Sequence, residues 1–149
     1  MHAVVTGGSA GIGLETTRAL ASAGALVIVP ARDVEKARAA VGTLATVEAM
    51  ELTDPLSISA FAERFLKTGH PLDLLINDAG IMAAPLTRVA RAIESQFATN
   101  HVGHFELAVR LWPALRKAQA PRIVSLSSLG HRRAAVDFDD WNFERKPYD

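Results

Sequence analysis

The sequence predicts a three-layer α/β/α fold around a doubly wound parallel sheet, and three observations carry that expectation. Short apolar or β-rich runs alternate with helical patterns along the chain. The runs are near-continuously apolar, as strands covered on both faces must be. A glycine-rich stretch, "TGGSAGIG" (6–13), lies between the first strand and the first helix, where a doubly wound fold binds the phosphates of a nucleotide.

The elements follow in order. His2 to Thr6 is a β-rich run, and the alanine- and leucine-rich stretch Ile12 to Ala23 reads as helix. "ALVIVP" (25–30) is a buried strand that Pro30 is expected to close. Val34 to Val41 is helical, with Asp33 placed as N-cap. "ATVEAMEL" (45–52) is a third strand. Leu56 to Lys67 is amphipathic, with Ile58, Phe61, Phe65 and Leu66 on one side, Asp54 as N-cap and Pro55 at the first helical position. "LDLLIN" (72–77) is a fourth strand. Thr87 to Ala118 is helical in pattern, with a break or kink expected near Pro113. "RIVSLSS" (122–128) is a fifth strand. From Gly130 onward no period holds, and about 130–149 reads as an irregular tail of a single domain, 1–149.

Composition narrows the function classes. The chain has 149 residues, 49% hydrophobic and 21% charged, which suits one soluble globular domain. Sixteen basic residues balance sixteen acidic ones, so no net charge draws the chain to nucleic acid or an anionic membrane. There is no cysteine, which removes disulfide and thiolate chemistry and fits a reducing compartment. No signal peptide is evident, and the longest apolar run, Ala25 to Ala31, is too short to cross a bilayer. A cytoplasmic location is the expectation.

The glycines have a physical reading. Gly7 makes the sharp turn out of the strand, a bare backbone at Gly11 lets a pyrophosphate come close, and Gly13 lets the helix pack tightly on the sheet. The helix N-terminus then turns unsatisfied N–H groups and partial positive charge toward the anion. A phosphate loop of the GxxxxGK[ST] type fails, because Leu14 stands where that motif needs lysine. The spacing is also not GxGxxG; it is TGxxxGxG.

TGxxxGIG resembles the cofactor motif of the short-chain dehydrogenase/reductase family, and it does not stand alone. "NDAG" (77–80) resembles the family's NNAG, "FATNHVGHFELA" places Asn100 where the family carries its catalytic asparagine, and "RIVSLSSLGH" (122–131) resembles the strand that ends in the catalytic serine. "NHVGHF" and "SSLGH" look most like the retinol-dehydrogenase-like branch. The resemblance implies a Rossmann-type fold and hydride transfer between NAD(P)(H) and an alcohol, aldehyde or ketone. In the family a serine hydroxyl binds the substrate oxygen, a tyrosine exchanges the proton, a lysine binds the nicotinamide ribose, and the asparagine holds a water of the proton relay. The logic is general acid–base catalysis, with the hard chemistry carried by the cofactor.

Carried over residue by residue, the resemblance makes Ser128 the catalytic serine, with Ser127 as runner-up because adjacent strand residues face opposite ways. Asn100 takes the relay position. Thr6, Gly7, Ser9, Ala10, Gly11, Ile12 and Gly13 form the phosphate loop, and Asn77, Ala79 and Gly80 lie along the cofactor ribose. Glu51 and Leu52 match the family's acidic–apolar pair at the adenine, with Asp54 as the nearby alternative. Arg32 of "ARD" faces the 2′-phosphate in the pattern this sequence resembles, which favours NADP, with NAD as the alternative. Asp78 departs from the pattern: asparagine donates and accepts, whereas an ionised aspartate only accepts.

Other side chains read as structural. His101 and His104, three apart, are expected to serve helix packing and capping, and no metal site is expected. Leu111, Trp112 and Leu115 form a packing stripe, and Trp141 and Phe143 cover an apolar patch. YxxxK is missing: the sole tyrosine, Tyr148, follows a proline outside any helical pattern. The expectation is therefore an incomplete family fold, inactive alone, whose fifth strand becomes an exposed edge that invites homo-oligomerisation. The alternative is a non-catalytic NADP-binding module with a regulatory or structural role.

Overall fold

The computed structural model describes residues 1–132 and 135–148. Its strands are β1 (His2–Thr6), β2 (Leu26–Ala31), β3 (Thr46–Ala49), β4 (Leu74–Asn77) and β5 (Arg122–Ser125). All pair in parallel, in the order β3-β2-β1-β4-β5. The helices are α1 (Gly11–Ser22), α2 (Val34–Val41), α3 (Pro55–Lys67), the single turn α4 (Ser95–Phe97) and α5 (Gly103–Leu115).

Successive strand residues point to opposite faces, and each face finds its own helices. Val4 and Leu75 join Ile58, Phe61 and Phe65 of α3 and Leu107 and Leu111 of α5. Val5, Val27, Val29 and Ile76 join Ala37 and Val41 of α2, with Leu14 and Leu20 of α1 against them. Burying each large side chain contributes about 1.5–3 kcal/mol. The three-layer, doubly wound expectation holds.

The caps also hold. Asp33 accepts a hydrogen bond from the Lys36 N–H at 3.0 Å, and Asp54 accepts from the Leu56 N–H at 2.9 Å. The strands are shorter than their apolar runs: β3 ends at Ala49, β4 begins at Leu74 and β5 ends at Ser125.

Three expectations need correction. Pro30 does not close the second strand; it lies inside β2, opposite Glu48 of β3. There β2 has already parted from β1, whose last partner is Ile28, so the missing N–H leaves no gap in that ladder. Pro113 does not break α5, which runs through it to Leu115. It lies exposed in the last turn, where the lost bond is open to water. The helical pattern from Thr87 is likewise not one helix. A 3₁₀ turn at Ala90–Ala92, with Arg91 and Ala92 at φ +63° and +56°, precedes α4, and Ala98–Val102 is a π-turn.

The expected tail, 130–149, includes residues 133, 134 and 149, which lie outside the described residues. Its described part has a 3₁₀ turn at Leu129–Arg132 and is otherwise without helix or strand, but it is tightly docked. Glu94, 2% exposed, accepts from the Gln96 and Phe97 N–H groups at 2.7 Å each and from the Tyr148 hydroxyl at 2.9 Å. Asn142 accepts from the Glu94 N–H at 2.7 Å and donates to the Ala92 carbonyl at 3.1 Å. Buried Asp140 gathers the N–H groups of Glu144, Arg145 and Lys146. Trp141 stands against Phe97, with ring centres 5.3 Å apart, while Phe143 packs edge-on to Tyr148.

Candidate active site

A cleft of about 750 Å³ opens along the C-terminal ends of β1, β2 and β4. Its floor is the glycine loop, with Thr6, Gly7, Ser9, Ala10 and Gly11. At one end stand Arg32, Lys36, Glu51 and Leu52; at the other, Asp78, Ala79 and Gly80, closed by Ile81 and Thr99. Most of the expected cofactor residues thus meet in one cavity. Ile12, Gly13 and Asn77 do not line it: Ile12 points to solvent, Gly13 is buried, and Asn77 is buried at the end of β4.

The loop's geometry suits an anion. Gly7 turns the chain at φ +68°, which a side chain would strain. Ala10 caps α1 with no side-chain bond, and the first turn holds no acidic residue, so its leading N–H groups stay open to the cleft. Gly13 is required by contact. A Cβ there would lie 2.3 Å from the Gly7 carbonyl oxygen and 2.5 Å from Asp78 Oδ2. Helix, turn and the loop after β4 therefore meet at backbone distance. These residues fit a dinucleotide.

Thr6 ties that assembly together. Its hydroxyl accepts from the Asp78 and Ala79 N–H groups at 3.0 and 3.1 Å and meets His104 Nε2 at 2.8 Å. His104 Nδ1 stands 3.1 Å from the Asn100 carbonyl oxygen. That contact assigns the proton to Nδ1, so bare Nε2 accepts from Thr6, whose longer approach to the Ile76 carbonyl is 3.3 Å. Burial lowers the His104 pKa, against the opposing pull of the Asn100 carbonyl and the Asp78 charge, and keeps the ring neutral. The expected packing role for His104 was too modest: it links α5 to β1. Among the described residues no cluster of three or more ligating side chains could hold a metal.

Asn100 sits in the π-turn, a distortion common at functional sites. Its side chain binds the Ile81 backbone, accepting from the Ile81 N–H at 2.9 Å and donating to the Ile81 carbonyl at 2.8 Å. Its backbone carbonyl faces inward, to His104 Nδ1 at 3.1 Å. Ser128 begins the turn after β5, and its Oγ accepts from the Gly130 N–H at 3.1 Å and donates to no group among the described residues. Neither residue lines the cleft. Asn77 donates to Ser125 Oγ at 3.1 Å, while its buried Oδ1 has no partner among the described residues.

At the other end Arg32 is largely exposed and 3.6 Å from Glu51, whose carboxylate also accepts from the Thr53 N–H at 2.9 Å. Lys36 lines the same end, a cation that sequence reading passed over. Its signal was available: with Asp33 capping α2, the residue at the third helical position stays beside Arg32. Tyr148 is no activated tyrosine. Burial pushes its hydroxyl pKa up, the Gln96 amide partly opposes this, and the Glu94 charge adds to it. In the packing stripe Leu111 and Leu115 are buried, whereas Trp112 is exposed.

The comparisons with known proteins agree with this geometry. Residues 1–137 match the short chain dehydrogenase family. The chain is 47% identical to "Probable oxidoreductase" of Streptomyces antibioticus, over 99% of this chain and 52% of that protein. It is 38% identical to human retinol dehydrogenase 12, over 96% of this chain and 48% of that protein. Among solved structures, a Mycobacterium paratuberculosis protein of uncharacterized function matches with TM-score 0.88 and 37% identity, over 99% of this chain and 53% of that one. A metagenomic short-chain oxidoreductase solved with NADP matches with TM-score 0.73 and 37% identity, over 87% of this chain and 62% of that one. The chain spans about half the length of the curated relatives it matches. With its glycine loop, NDAG turn and sheet order in register with that pattern, it belongs to the short-chain dehydrogenase family of oxidoreductases.

Proposed function

We propose that this chain is the nucleotide-binding part of an oxidoreductase that moves a hydride between NADP(H) and an alcohol or carbonyl substrate. The observation that carries the reading is the cleft itself. It has an uncapped helix N-terminus at its centre and two cations, Arg32 and Lys36, at the β2 end. When bound there, the nicotinamide cofactor supplies or accepts the hydride.

The chain's own groups bind and orient. The open N–H groups of α1 and the Ser9 hydroxyl receive the pyrophosphate. Arg32, with Lys36 beside it, favours a 2′-phosphate over a bare hydroxyl, although Glu51 draws on the same guanidinium. Glu51 and Leu52 border the adenine, and Ala79 and Gly80 run along the ribose. Ser128 holds a proton available to a substrate oxygen, and Asn100 keeps the relay position that the family pattern gives it. The family tyrosine–lysine pair has no match in these residues. We therefore expect the 149 residues alone not to turn over substrate, because general acid–base catalysis typically contributes ~10²–10⁴-fold. The outer side of β5 is where further strand pairing, from the same or another chain, would add.

Titration calorimetry with NADPH and NADH tests the cofactor assignment. NADPH should bind more tightly, and Arg32→Asp should lower or reverse the preference by ~1.5–3 kcal/mol, the usual range for a hydrogen bond to a charged group. Equal affinities, or an unaffected variant, would remove Arg32 from the role.

A further inference from the structure

Asp78 is where the chain departs from the NNAG pattern, and its carboxylate faces the phosphate loop. Oδ2 lies 2.5 Å from where a Cβ on Gly13 would stand and 3.3 Å from the same point on Gly7. The Gly13 N–H lies close enough to this carboxylate to favour its charged form. Asp78 also lines the cleft. An acidic oxygen of the protein therefore occupies the inner side of the α1 N-terminus, whose remaining N–H groups open into the same space. The charged groups around it are few. His104 of α5 is kept neutral by burial, and the first turn of α1 has no acidic residue. Arg32, Asp33, Lys36 and Glu51 stand at the opposite, β2 end of the cleft.

We propose that Asp78 makes nucleotide binding proton-linked: a pyrophosphate settling on the α1 N-terminus meets a carboxylate already there, and the complex takes up a proton at Asp78 as it forms. The inference rests on the nucleotide-binding reading above. Two anions at one helix terminus disfavour each other's charge, and protonation is the relief open to a carboxylate. The neutral carboxyl then carries one donor and one acceptor, as the family's asparagine does. Burial has already moved Asp78 in that direction: it raises the pKa, against the opposing effects of the Gly13 N–H and of His104. The sign follows. Affinity is highest where Asp78 is protonated in the free protein. It falls as pH rises through the free-state pKa and levels off above the higher pKa of the complex.

The test is calorimetric titration of the protein with NADH and with NADPH between about pH 5 and 8, in buffers of different ionisation enthalpy. NADH carries no 2′-phosphate, so a pH effect seen with both nucleotides belongs to the protein. Binding should take up a fraction of a proton, with affinity falling by at most about tenfold per pH unit, the limit for one proton. Asp78→Asn should bind several-fold more tightly at the alkaline end, with a flat profile and no uptake. Asp78→Ser, a second neutral variant, should flatten the profile likewise, and circular dichroism shows that both are folded. The idea is overturned if the two neutral variants keep the wild-type slope, or if both bind more weakly than wild type at alkaline pH while folded. Wild-type affinity that does not vary with pH overturns this inference alone. Failure of both nucleotides to bind overturns the nucleotide site and this inference together.

Discussion

Thr6→Val is the sharpest probe of how the cleft is held. The substitution keeps the shape of the side chain, 1% exposed at the end of β1, and removes only its hydroxyl. Three partners lose their bond: the Asp78 N–H at 3.0 Å, the Ala79 N–H at 3.1 Å and His104 Nε2 at 2.8 Å. An orphaned buried polar group costs about 1–3 kcal/mol. The two N–H groups are only partly buried, so the lower end applies to each, and the sum is about 3 kcal/mol. Thr6→Ser keeps all three bonds and loses one methyl, about 0.8 kcal/mol. The two variants should therefore differ by about 2 kcal/mol, a large part of a domain stability of ~5–15 kcal/mol. Urea unfolding followed by circular dichroism reads this directly. With a slope of about 1–3 kcal/mol/M, the valine midpoint should lie about 1 M below the serine midpoint. A valine variant as stable as the serine one would refute the account of Thr6 as the tie between β1, the NDAG turn and α5.

Other outcomes follow from the same contacts. Gly13→Val should abolish the fluorescence enhancement of bound NADPH, because even its first carbon would stand 2.3 Å from the Gly7 carbonyl oxygen; an enhancement that survives would displace the phosphate site from α1. Glu94→Ala should cost about 1–3 kcal/mol, by orphaning the Gln96 and Phe97 N–H groups, and should free residues 137–148 to exchange amide hydrogens quickly. Burial alone would raise the Glu94 pKa, but the Gln96 and Phe97 N–H groups and the Tyr148 and Ser95 hydroxyls outweigh it and hold it low. Its share of stability is therefore complete above the ordinary carboxylate range and lost as pH falls through the lowered value. An alanine variant with unchanged acid sensitivity would contradict this.

The first half of the chain was legible because its signals are local. Each strand is a short apolar run, and Asp33 and Asp54 announce the helices they do cap. The stretch from Thr87 to Val102 was not, because its shape is set from outside. Alanine and arginine at 90–92 favour helix in isolation. The 3₁₀ turn forms instead with Asn142, fifty residues away, holding the Ala92 carbonyl and the Glu94 N–H. Pro30 and Pro113 misled for related reasons: at Pro30 the ladder to β1 has already ended, and at Pro113 the carbonyl that loses its donor is open to water. The same divide runs through the site. The glycine loop and NDAG turn are sequence motifs, and they meet as expected. The Thr6–His104 bond joins residues 98 apart and has no local signature. Asp78 could be flagged as unusual, but only the fold places its carboxylate beside Gly13.

The strand order also sets a timetable for synthesis. β1 is made before the other four strands of this sheet and stands at its centre, between β2 and β4. Ala3 pairs with Val27 on one side, but its other partner is Leu74. At ~5–20 residues per second the ribosome delivers β4 some 4–14 seconds after β1. Through that interval the β3-β2-β1 half-sheet can form with β1 as a temporary edge, its outer N–H and C=O groups open to any neighbouring strand. Within this sheet, newly made chains are thus most exposed to mispairing along β1. A chaperone that shields residues 2–6 until residue 77 has emerged would raise the folded yield more than one acting on the finished chain.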